Sequence, residues 1–140
     1  MASIVVSNGL QRIGVQSSQA TGTGVTYSAT RHIQVMSVDD GTVAFAAGHT
    51  ALNSGGAITN EYDQAFDSTP TRTNQTITHI MTIGTGNGNF TIKRIAMHDN
   101  VVGSVDATTA TLVCGVDGQT LGKTSDFTLA ITLNLLYTSV

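Results

Sequence analysis

The sequence predicts an all-β protein, on three observations. Thr, β-branched and suited to pleated strands, occupies 23 of the 140 positions, and Gly another 15. The chain holds one Pro, no Trp and one Glu, and the strong helix formers Glu, Lys and Leu are scarce. Several segments alternate apolar and polar residues with a period of two, and none repeats with a period near 3.6. A length of 140 residues fits a single domain, read here as residues 1–140, which can bury a core without disulfides or metals.

The first expected strands are residues 3–7, 12–16, 31–38 and 42–47, with Asp39-Asp40-Gly41 as a turn. Residues 48–74 show no clean period and contain Gly55-Gly56, Pro70 and the cluster Tyr62, Phe66 and Arg72. They read as one long loop excursion, in which 61–66 has room for a short helix. Residues 75–83 alternate, with Ile77, His79, Met81 and Ile83 against Thr76, Thr78, Ile80 and Thr82. Gly84-Thr-Gly-Asn-Gly-Asn89 then reads as a hairpin or tight loop, because Gly and Asn tolerate positive φ. In the following run, 90–97, the apolar phase slips between Ile92 and Ile95, which places a bulge at Lys93-Arg94.

Residues 108–114 form a further expected strand, with turn signals at His98-Asp99-Asn100 and Val116-Asp117-Gly118. The clearest strand is 126–138, where Phe127, Leu129, Ile131, Leu133, Leu135 and Tyr137 share one face. Burying six such side chains contributes on the order of 10 kcal/mol before conformational entropy, so this strand is expected to be central. Eight or so short strands point to a sandwich, a jelly roll or a small barrel. The expectation adopted is an antiparallel β-sandwich, jelly-roll-like, with the excursion at 48–74.

Charged residues amount to 11%, with six Lys+Arg and a net charge of −3, so the chain has no basic stripe for nucleic acid. The longest apolar run falls far short of the ~20 residues of a membrane helix, and the first residues are too short and uncharged for a signal peptide. A soluble protein from a reducing compartment is expected. Cys114, the single cysteine, lies in an apolar run and reads as a small buried hydrophobe.

No catalytic, cofactor or metal site emerges. His32, His49, His79 and His98 lack ligand spacing, and Asp39-Asp40-Gly41 lacks the later oxygens of a calcium loop. The 84–89 glycines lack the Lys and the following helix of a phosphate loop. No Gly-x-Ser-x-Gly elbow or pair of carboxylates occurs, so a small hydrolase has least support. The informative feature is a surface of Thr, Ser, Asn, Gln and Gly, which is poor at preventing association. A subunit largely covered in an assembly is therefore expected.

Three stretches resemble small structural proteins of tailed bacteriophages, particularly capsid decoration (cement) proteins. They are Arg31-His-Ile-Gln-Val-Met, Asn89-Phe-Thr-Ile-Lys-Arg-Ile-Ala-Met-His-Asp99, and Gly115-Val-Asp-Gly-Gln-Thr-Leu-Gly-Lys-Thr-Ser-Asp-Phe-Thr-Leu-Ala-Ile-Thr-Leu133. Lys123-Thr-Ser-Asp126 ahead of a long alternating terminal strand is also similar to small phage tail-fibre and tail-tip domains. The resemblance covers most of the chain past Thr30 and is one of pattern. It implies a β-sandwich or jelly roll without cofactors, present in many copies on the virion, and it transfers no catalytic residue.

Under this resemblance the chain is a non-enzymatic cement protein on the capsid exterior, assembled in the bacterial host cytoplasm. Its expected partners are the major capsid protein and itself, as homodimer or homotrimer, with no nucleic acid and no membrane. Tyr62 and Phe66 would be interface anchors and Arg72 a hydrogen-bonding fork, the other reading being that they pack over the sandwich's own open end. The 1–6 arm, with Ile4 and Val5, would add an edge strand to a neighbour. The alternative is a receptor- or glycan-binding tail module, for which an aromatic content of 5% is thin.

Overall fold

The computed structural model describes residues 3–5, 33–73, 76–99 and 111–136. Within them the chain is all-β, without helix, and its paired strands are antiparallel. The ten strands are β1 (Ser3–Val5), β2 (Ile33–Asp39), β3 (Glu61–Ala65), β4 (Thr71–Thr73), β5 (Thr76–Ile83), β6 (Thr91–Ile92), β7 (Arg94–Asp99), β8 (Thr111–Val116), β9 (Leu121–Gly122) and β10 (Leu129–Leu136). They form a five-stranded sheet in the order β1-β8-β7-β2-β3, a three-stranded sheet β10-β5-β4, and the small pair β6-β9. None of these sheets is closed.

Alternation explains the burial. In β5, Ile77, His79, Met81 and Ile83 turn inward, as their even spacing predicts. Met81 and Ile83 join Met36, Val38, Ile92, Ile95, Met97, Cys114 and Ile131 in the main core cluster, which draws on both larger sheets. The opposite face of the five-stranded sheet is covered by residues 41–60. Phe45 and Leu52 from that segment pack with Ala96 of β7 and Leu112 of β8 in a second cluster. Gly115 makes this possible, because any Cβ there would collide with the Phe45 ring.

The bulge expected at Lys93-Arg94 is not what occurs: Lys93 separates two strands, β6 and β7, that belong to different sheets. Its backbone is still used: Lys93 N–H donates to Asp39 O at 2.8 Å, and Gln119 N–H donates to Lys93 O at 2.9 Å. The break lets Ile92 and Ile95, three apart, reach the same core.

Several expectations are corrected. Among the described residues the terminal strand is not central: β10 lies at the edge of its sheet, and β5 is the middle strand. Periodicity reports which face is buried, not how many neighbours the backbone has. The 84–89 loop makes a tight turn, with Gly88 at φ 61°, but no hairpin. It leaves β5 in the three-stranded sheet and enters β6, which pairs with β9.

Residues 42–47 form no strand. Their backbone groups are taken by side chains instead: Phe45 N–H donates to Asp117 Oδ2 at 2.9 Å, and Val43 O accepts from Arg94. Residues 48–74 are only partly an excursion, and 61–66 holds no helix. β3 pairs with β2 from Val35↔Ala65 to Asp39↔Glu61, and β4 pairs with β5. The expected strand at 12–16, the turn residue Asn100, and Tyr137 and Thr138 lie outside the described residues.

Candidate assembly surface

The buried polar groups are mostly tied into the scaffold. Asp39 of β2 and Arg94 of β7 are register partners, and Arg94 Nε donates to Asp39 Oδ1 at 2.8 Å. Arg94 also donates to Val43 O at 2.9 Å and to Leu52 O at 3.1 Å, and its guanidinium lies 4.8 Å from the centre of the Phe45 ring. This cation therefore fastens the 41–60 segment onto the sheet. Asp40 closes the base of the same segment through Thr59 N–H and both the backbone and side-chain nitrogens of Asn60. Burial opposes its charge, but the donors at Asn60 and Thr59 outweigh that and hold its carboxyl below the usual value.

Ser37 Oγ and His98 Nε2 lie 2.7 Å apart, both fully buried on the sheet face that the segment covers. A hydroxyl and an imidazole at this distance form the first half of a nucleophile–base arrangement, but here they are enclosed. His79 is buried with its ring 4.8 Å from that of Phe66. His49 Nδ1 accepts Ala46 N–H at 3.3 Å, whereas His32 lies outside the described residues. Among the described residues no cluster of His, Cys, Asp or Glu could hold a metal ion. Cys114 is buried, and desolvation pushes its thiol up to about 12, the behaviour of a core residue.

The five residues expected at an interface do not form one patch. Ile4 and Val5 pair with Gly115 and Cys114 of the chain's own β8, so this part of the arm adds a strand to the chain's own sheet. Tyr62 lies on the opposite edge strand, four strand spacings away, roughly 19 Å. Tyr62 and Phe66 are half-buried and pack against the chain's own core. The Tyr62 hydroxyl donates to Gln64 Oε1 at 2.6 Å and accepts from Asn87 Nδ2 at 3.3 Å. Arg72 sits in β4, opposite Ile77.

The surface with the character expected of a covered one is the outer face of the three-stranded sheet. Its rows follow from register: Thr71, Thr78 and Asn134; Thr73, Thr76 and Leu136; Ile80 and Thr132; Thr82 and Ala130. None of these side chains is buried, and none carries charge. Thr78 Oγ1 donates to Asn134 Oδ1 at 2.8 Å across the strands. Asp67 marks one margin, with its carboxylate accepting Thr82 N–H at 3.0 Å and the Thr82 hydroxyl at 2.6 Å. The signal was present in the sequence as uncharged residues at alternate positions of 76–82 and 130–136, but only pairing shows that the two runs share a face.

Comparison of the chain with family models, with curated proteins and with solved structures gives no match.

Proposed function

We propose that this chain is a non-enzymatic virion structural protein, a capsid decoration (cement) protein on the outside of a bacteriophage head. It lodges between major capsid protein subunits. The observation that carries the reading is the uncharged outer face of the three-stranded sheet. Charge depletion distinguishes the centres of protein interfaces from ordinary surface. In this reading the larger sheets are the two layers of a jelly-roll-like sandwich around the shared core, and the threonine face rests on the shell.

A protein that binds the assembled shell and not its loose subunits stabilises the shell by mass action. Contacts of ordinary size, about 800 Å² per partner, suffice when repeated over many copies. The test is the protein's stoichiometry in purified particles, with immunogold labelling of intact virions. Copies in numbers comparable to the shell subunits, and gold on the head, are expected. A few copies located at the tail, together with glycan binding by the isolated protein, would replace this reading with that of a tail receptor-binding module. Ile80→Lys, a charge in the middle of the face, is expected to release the protein from heads.

A further inference from the structure

The four outer edges of the two larger sheets differ in a way that bears on association. β4 is three residues long, and β3 carries Glu61 and Asp63. Short or charged edges resist pairing with other chains. The β4 side of β5 is further occupied by Asp67, whose N–H donates to Ile80 O at 3.0 Å, and by Gln64, which donates to Thr82 O at 3.1 Å. Among the described residues β10 has no such protection. It runs for eight residues, Leu-Ala-Ile-Thr-Leu-Asn-Leu-Leu, without charge or Pro, and no strand among the described residues pairs with its outer edge.

We propose that β10 is a homodimerisation edge, pairing antiparallel with β10 of a second copy about a two-fold axis. The sequence of the strand suits itself as partner. In an antiparallel pair, directly opposed side chains share a face, so inward Ile131 and Leu133 must oppose inward residues of the second copy. The central registers then bring Thr132 opposite, or one diagonal step from, its own counterpart, roughly 5–8 Å away. A charged strand would place like charges together there, whereas this one places threonine. The threonine faces of the two copies would join into one six-stranded surface. The inference rests on the assembly reading above in its purpose, but its geometry stands alone.

Sedimentation of the purified full chain tests it. The wild type is expected at twice the 14.5 kDa of one chain. Thr132→Lys and Thr132→Glu, both at an exposed position, should each weaken dimerisation about tenfold or more, and the two variants mixed should associate again. A wild type that stays monomeric at about 100 μM would overturn the inference, including the case in which another part of the chain covers β10. So would a Thr132→Lys chain that dimerises as well as the wild type, or a Lys/Glu mixture that does not associate. A monomeric protein that still decorates heads refutes the edge pairing alone, and a dimer absent from particles refutes the cement reading alone.

Discussion

At the scale of single residues, the strongest constraint is Arg94. It is 1% exposed, with its charge met by Asp39 and its remaining donors by two loop carbonyls. Removing one partner of a buried pair leaves an uncompensated charge, so Arg94→Met is expected to cost about 3–5 kcal/mol in urea unfolding. Adding Asp39→Asn should recover part of it, since the stranded carboxylate is then gone. A loss below about 1 kcal/mol would show the pair to be dispensable.

His79 gives a pH dependence. Desolvation lowers its pKa from the ordinary 6.5, against smaller opposing contributions from the Leu133 and Ile77 backbone. Between the lowered folded value and 6.5 the unfolded chain holds more proton than the folded one. This residue's contribution to stability is therefore full above 6.5 and declines as the pH falls through 6.5 toward the folded value. His79→Leu should flatten that part of the stability profile. An unchanged acid slope in the variant would assign the dependence to other groups.

At the scale of elements, β5 shows what alternation determines. Ile83 and Ile80 are the same residue type in one strand, one fully buried and the other 39% exposed. Ile83→Ala is expected to cost about 2–5 kcal/mol because it opens a cavity in the main core. Ile80→Ala should cost less than about 1 kcal/mol, within the range of surface changes. Equal costs in thermal unfolding would mean that the face assignment is wrong. β10 obeys the same alternation and yet lies at an edge, because hydrogen-bonding neighbours run perpendicular to the direction that alternation reports. The irregularity at Lys93 was legible, since an apolar pair three apart does not fit one face of a regular strand, but its form was not: the chain changes sheet there instead of bulging.

At the scale of the whole molecule, two apolar clusters lie on the two faces of the five-stranded sheet, and the polar face lies on the outside of the three-stranded one. Association through uncharged surface gains little from Coulombic attraction. Raising salt from about 0.05 to about 0.5 M, which shrinks the Debye length severalfold, should therefore leave head binding and dimerisation nearly unchanged. Steep weakening with salt would point to contacts through the few charged side chains and away from this face.

The amino-acid sequence alone determined the all-β class, most strand positions, and the inward residues of β5 and β10. These are local properties, set by propensity and by the two-residue repeat of a strand. Tertiary structure alone decided that β10 is an edge among the described strands, that the 84–89 loop crosses between sheets, and that residues 61–65 and 71–73 become strands. It also decided that Tyr62 and Phe66 pack on their own core, and that Arg94 is buried. The physical reason is that backbone pairing and the sheltering of a charge depend on residues distant in the chain, as when Asp39 meets Arg94 across 55 positions.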